Sequence, residues 1–311
     1  MARARLSPTP GTAWRPEPSC DVFVQALSHR ITQTCDRKAD AERRRPGPGI
    51  FSRAFAGDRC SECLCAEYPT RCALQGGHRT TPAKGADMAP QRDMRAAVIS
   101  VRVPVGTQWL DGDLGMPADA PGIVLFAHGS GSSRRSPRNQ FVARALESRG
   151  LATLLIDLLT PAEEAIDDQT AEYRFDLMML AERLVTIVDW LKKRPDTKGL
   201  PVGLFGASTG GGAALMAAAA RPDDIATVVS RGGRPDLAGQ ALRHVFAPTM
   251  LIVGGLDTPV IQINRDAMDQ MGPDVVLEIV PGATHLFQEP GALDRVAELA
   301  ATWFADRLTP G

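Results

Sequence analysis

Apolar residues fall into short continuous runs and helically spaced runs that alternate from about residue 96 onward, whereas nothing comparable recurs before it. Stretches 98–103 and 107–114, separated by Pro104 and Gly106, alternate apolar with polar and predict an antiparallel pair that opens a sheet. Residues 122–127 form a short unbroken apolar run, the pattern of a strand covered on both faces. Residues 137–149 space Phe141, Ala145 and Leu146 along one helical face, and Gly150 follows where a left-handed cap is favoured. After an apolar strand over 151–156, Leu177, Leu180, Leu184, Ile187, Val188 and Leu191 recur at three- and four-residue steps, predicting a long helix over 175–194 that Pro195 ends. The alternation continues with strands at 200–205, 225–230, 249–253 and 275–280. Helices are expected after 208, near 236–245 and 260–271, and over 291–308. Eight strands alternating with helices predict an α/β protein with a mostly parallel sheet and helices on both faces. In such sheets functional groups gather at the carboxyl ends of the strands.

Composition divides the chain at the same place. Residues 1–93 carry 15 Lys+Arg against 10 Asp+Glu, and residues 94–311 carry 20 against 26, so the net charge of -1 hides a basic third ahead of an acidic remainder. All six cysteines lie in the first part, which lacks sustained periodicity and is broken by runs such as Arg43-Arg44-Arg45-Pro46-Gly47-Pro48-Gly49. The expectation is a disordered extension over 1–93, or translation that begins at Met88 or Met94, followed by one globular domain over 94–311. Cys60, Cys63, Cys65 and Cys72, with His78, are the one cluster there that could take zinc. The six residues between Cys65 and Cys72 do not match the two-to-four spacing of a zinc knuckle, and no metal is expected. The first residues lack the apolar stretch of a secretory signal, and no apolar run has the length of a membrane span, which points to a cytoplasmic protein without a membrane partner. The acidic domain, and a basic segment without interleaved aromatics, also argue against a nucleic-acid partner.

The chemistry concentrates around Gly206-Ala207-Ser208-Thr209-Gly210, placed after an apolar run and before an alanine-rich one. That is the form of a nucleophile elbow, in which a serine sits on a sharp strand-to-helix turn and its neighbours two residues away must lack bulk. Acyl transfer by such a serine needs a base, an acid to orient the base, and donors for the oxyanion. The globular part holds three histidines. His244 falls at the end of a predicted helix and reads as a packing or surface residue, and His128 next to Gly129 reads as an organiser of its loop. His285, directly after the last strand, is the expected base. Asp257, just past the seventh strand, is the expected acid, in the order serine, acid, histidine. Its competitor Asp236 reads as a helix cap behind Pro235, and Asp266 and Asp269 as exposed helix charges. The oxyanion donors expected are the amides of Thr209 and of Ser130, with Gly129 or Gly131 as substitutes for the latter. The loop at 129–133 lacks the Gly-Lys-Ser/Thr of a phosphate loop.

Taken together, these residues resemble the α/β-hydrolase superfamily over about 96–308: His128-Gly129 after the third strand, Gly206-x-Ser208-x-Gly210 after the fifth, and Asp257 and His285 after the last two. The stretch after the sixth strand, Arg231-Gly232-Gly233-Arg234-Pro235-Asp236, is too short for a sizeable cap domain, and this makes the chain most similar to the dienelactone hydrolase group. That group carries a cysteine nucleophile where this chain has Ser208, which favours ordinary ester hydrolysis over lactone opening. The resemblance also implies arginines that hold a substrate carboxylate. Arg231 and Arg234 are the candidates by position, with Arg134 and Arg135 behind them, against a role as solvated surface charge for each. The expected protein is thus a serine carboxylesterase for small esters that uses no cofactor. An acyltransferase with the same triad and a non-catalytic binding protein are the alternatives, and the oligomeric state is open.

Overall fold

The structure, a computed structural model, describes residues 97–309, so the expectations for residues 1–93, including the cysteine cluster, lie outside the described residues. The strands are β1 (Ala97–Val105), β2 (Gln108–Met116), β3 (Ile123–Ala127), β4 (Ala152–Ile156), β5 (Val202–Ala207), β6 (Ile225–Arg231), β7 (Thr249–Gly254) and β8 (Val275–Val280). They form one eight-stranded sheet in the order β1-β2-β4-β3-β5-β6-β7-β8. β1 and β2 pair antiparallel, β2 meets β4 antiparallel, and every pairing from β4 to β8 is parallel. The helices are α1 (Pro137–Ser148), α2 (Pro161–Thr170), α3 (Leu177–Leu191), α4 (Thr209–Ala220), α5 (Thr258–Met268) and α6 (Ala292–Leu308), joined by 3-10 turns at Tyr173–Phe175 and Pro235–His244.

Helices on the two faces explain why the central strands are almost wholly apolar, with Thr153 and Thr249 the buried exceptions in β4 and β7. All residues of β3, β4, β5 and β7 are buried. One face packs against α3 and α4 through Leu180, Leu184, Ile187 and Leu215, and the other against α1 and α6 through Val142, Leu146, Val296 and Phe304. Phe126 and Phe205, on adjacent strands, stack at 4.9 Å between centroids on the second face. Each fully buried side chain of this size contributes about 1.5–3 kcal/mol, which is what holds the strand ends in register. On that face the Trp303 indole donates to Thr227 Oγ1 at 2.7 Å.

Several elements differ from expectation. β5 lies two residues later than its apolar run, because Gly206 and Ala207 continue the parallel pairing with β6 up to the serine. α2 was not anticipated. Its sequence is mostly polar, yet Thr160 and Glu163 form a reciprocal capping box and Pro161 starts the first turn. The long helix begins at Leu177, where Asp176 caps it by accepting from the Met179 amide. The segment 235–244 is a 3-10 stretch interrupted at Gly239, with φ 53°, in place of a regular helix. It is the only folded piece between β6 and β7, and no cap domain covers the carboxyl edge of the sheet there. Among the described residues no helix is long and apolar enough to cross a membrane.

Candidate active site

Ser208 stands between β5 and α4 with φ 52° and ψ -121°, a conformation that a residue with a side chain adopts only under constraint. The constraint is steric. A Cβ on Gly206 would lie 2.5 Å from the Gly210 carbonyl oxygen, and one on Gly210 would lie 2.3 Å from the Ala127 carbonyl oxygen. Strand, helix and the end of β3 therefore meet only because both positions are glycine. The Ser208 amide donates to Arg231 O at 3.1 Å, tying the elbow to the end of β6, and its carbonyl accepts from the Gly211 and Arg234 amides.

Asp257 and His285 are brought together by the ends of β7 and β8. The Gly255 amide donates to Val280 O at 2.8 Å and the Leu256 amide to Ala283 O at 2.9 Å, so the two loops are stitched along their backbones. A Cβ on Gly254 would come within 2.4 Å of Ala283 O, so this close approach also requires glycine. Asp257 occupies the first cap position of α5, but its carboxylate makes no capping bond and instead meets His285, Oδ2 to Nδ1 at 2.6 Å. That contact favours the imidazole with its proton on Nδ1 and leaves Nε2 as the acceptor. Beyond His285, the Thr284 hydroxyl and amide donate to Glu289, which fixes the loop from its other side. Gly232, next to the Arg231 carbonyl that holds Ser208, lies so close to His285 that a Cβ there would be 3.4 Å from the imidazole Cε1. Serine and histidine thus share one small patch at the sheet edge.

His128 is a different kind of histidine. It is buried, its Nε2 accepts from the Leu158 amide at 2.9 Å, and its Nδ1 donates to Gly129 O at 3.0 Å. Burial pushes its pKa below the ordinary histidine value, so it is a neutral brace between the loop after β3 and the end of β4. That loop approaches Ser208 closely: a Cβ on Gly129 would be 3.1 Å from Ser208 Cβ. The amide expected to serve the oxyanion is already engaged, since Ser130 N–H donates to Thr209 Oγ1 at 3.0 Å and the two hydroxyls also meet at 3.0 Å. The sequence gives no sign of this contact between residues 79 positions apart.

The arginines depart most from expectation. Arg234 directs Nε and Nη2 at Asp236, 2.8 and 2.7 Å away, which removes most of its capacity for a substrate and also makes Asp236 an ion-pair partner instead of a helix cap. Arg134 is paired with Asp157 and Asp113 and anchors the loop after β3 to β2 and β4. Arg231 is no surface charge: it is 7% exposed, with its guanidinium 5.9 Å from the Phe287 ring centre. His244 ends the 3-10 stretch, and Asp266 and Asp269 are exposed on and just after α5, as expected. Among the described residues no cluster of His, Cys, Asp and Glu could hold a metal ion. The residues that the sequence reading missed are Gly254 and Glu289. A glycine directly before the Asp257 loop and a Thr-x4-Glu spacing that brackets His285 were the available signals.

The chain is similar to several known proteins. Two curated proteins of Mycobacterium tuberculosis, provisionally named as phosphoribosyl transferases, are 51% identical over 239 residues, which is 76% of this chain and 52% of theirs. The chain therefore spans about half the length of those relatives. A crystal structure of a dienelactone hydrolase from Anabaena variabilis is 60% identical, with a TM-score of 0.68 over 69% of this chain and 99% of that one. Est1E from Butyrivibrio proteoclasticus, 17% identical, shares the fold with a TM-score of 0.56 over 67% of this chain and 98% of its own. The family model for dienelactone hydrolases matches residues 110–307, from β2 to the end of α6 and including Ser208, Asp257 and His285, and the chain belongs to the dienelactone hydrolase family.

Proposed function

We propose that the protein is a serine hydrolase of small carboxylic esters, working through Ser208, His285 and Asp257. The observation that carries this reading is the 2.6 Å contact between Asp257 and His285 on loops stitched beside a serine held at φ 52°. Ser208 Oγ attacks the ester carbonyl while His285 Nε2 takes its proton, and Asp257 stabilises the imidazolium that forms. The proton returns to the leaving alcohol, and water repeats the sequence to free the acid. Thr209, at the amino end of α4, presents its amide to the oxyanion with the helix dipole behind it. Ser130 supplies the second amide once the Thr209 hydroxyl turns aside, which substrate binding must bring about. No step calls for a metal or organic cofactor. A serine at the nucleophile position and an edge without a cap favour ordinary, sterically open esters over enclosed lactones.

Hydrolysis of 4-nitrophenyl acetate by purified protein tests the reading. Ser208→Ala is expected to lower kcat/KM by at least about a thousandfold with an unchanged melting temperature. Near-normal turnover in that variant would refute the assignment.

A further inference from the structure

One buried asparagine joins the helix that follows Asp257 to the turn that holds Ser208. α5 buries Val260, Asn264 and Ala267, the spacing of an apolar stripe with an amide in its middle. Asn264 is fully buried, and asparagine is a poorer helix former than leucine. Its Nδ2 donates to Val260 O at 2.8 Å, within the helix, and to Gly233 O at 3.1 Å, outside it. Both partners are carbonyl oxygens, so only the NH2 end can serve them and the amide has one workable orientation. Its Oδ1 is left buried without a partner, a cost that a leucine of similar size would avoid. The bond to Gly233 is what an apolar residue could not supply.

Gly233 belongs to the turn 231–234, and Ser208 and His285 both lean on that turn. The Ser208 amide donates to Arg231 O and the Arg234 amide donates to Ser208 O, both at 3.1 Å. Gly232, at φ 51°, donates its amide to Ile252 O in β7 at 2.7 Å, and a Cβ there would lie 3.3 Å from His285 O. A Cβ on Gly233 would lie 1.8 Å from Ser230 Oγ, so the turn is packed down on β6, and Asn264 bonds it from α5. We propose that Asn264 is a positioning residue: by holding Gly233 O it fixes the turn, and with it the separation of Ser208 Oγ from His285 Nε2. α5 starts at Asp257, so one short helix carries both the carboxylate that orients His285 and the amide that places Ser208. Misplacing reacting groups by about 1 Å can cost about a hundredfold in rate, which gives leverage to a hydrogen bond remote from the substrate. The catalytic consequence rests on the hydrolase reading above, whereas the hold on the turn does not.

Two variants remove the bond by different means. Asn264→Leu keeps the size and loses both hydrogen bonds, while Asn264→Ser keeps a hydroxyl that reaches Val260 O, one helical turn back, but not Gly233. Thr197→Val is the control for stability alone, since it loses a buried hydrogen bond to Leu191 O in the loop that leads into β5, away from the turn. All three are expected to melt about 3–8 °C lower than the native protein. With 4-nitrophenyl acetate at 25 °C, both Asn264 variants are expected to lose about 10- to 100-fold in kcat with KM within about twofold, and Thr197→Val to keep native values. Amide hydrogen exchange followed by NMR needs no turnover: the amides of Ser208, Gly232 and Arg234 should exchange at least about tenfold faster in both Asn264 variants than in Thr197→Val. Faster exchange at the turn together with a lowered kcat supports the proposal. A native kcat in either Asn264 variant, or an equal fall in Thr197→Val, would overturn it. If the native protein turns over no ester, the hydrolase reading has failed by itself. The exchange rates then decide, and turn amides that exchange as in Thr197→Val would overturn the hold on the turn.

Discussion

The loops that follow β3 and β8 end at the same edge of the sheet, and each presents a histidine, yet the two histidines are bonded in opposite ways. His128 is buried, neutral, and has both ring nitrogens committed to backbone groups. His285 is more than a third exposed, with one nitrogen on a carboxylate and the other left over. A strand end supplies position, but the role comes from the partners. A base needs an acid on one side and an unoccupied nitrogen on the other, whereas a brace needs both nitrogens filled.

The largest effect that could break this contrast is on turnover. His285→Gln is expected to reduce kcat for 4-nitrophenyl acetate by at least about a thousandfold. His128→Leu should lower it at least about a hundredfold less, and losses of equal size would dissolve the distinction. Asp257→Asn comes next, with a fall of up to about 10⁴-fold and little change in melting, because the amide no longer stabilises the imidazolium. Smaller again is Gly254→Ala. Its Cβ would press on Ala283 O and Thr284 O, displacing the base's loop and lowering kcat about 10- to 100-fold while KM moves little. A fall confined to KM would mean that the glycine serves binding and not alignment.

The smallest expected effect is on stability. Losing the two hydrogen bonds of His128 costs about 2–3 kcal/mol, measurable by urea unfolding of His128→Leu at pH 7.5. The pH dependence has a definite sign. The folded pKa lies below the ordinary value of 6.5, so His128 contributes fully above that pH. As the pH falls below 6.5, the unfolded chain binds a proton that the folded one refuses, and stability declines. His128→Leu should flatten the decline between pH 7.5 and 5.5. An unaltered slope would show that the histidine is not held neutral.

Much of this site was readable from residues near one another in sequence. Ser208, Asp257 and His285 each follow an apolar strand run, and glycines mark the turn at the elbow, so periodicity and strand order locate them. The burial of Arg231 was not readable. It depends on Asn139 and Phe287, contributed by α1 and by the loop after β8, and no local pattern distinguishes it from an exposed arginine such as Arg135. The same holds for the Ser130 amide, whose partner Thr209 reaches it only because β3 and β5 are neighbours in the sheet. α2 escaped for another reason: with Asp167 as its one buried residue it lacks an apolar stripe, and only its capping box marks it.

The central claim is that Ser208 is the nucleophile, and a covalent probe tests it without any assumption about substrate. Treating the protein with a fluorophosphonate and measuring intact mass and peptide fragments should give one adduct, on Ser208, formed slowly in His285→Gln and absent in Ser208→Ala. A protein that stays unlabelled, or an adduct on another residue that persists in Ser208→Ala, would contradict the account.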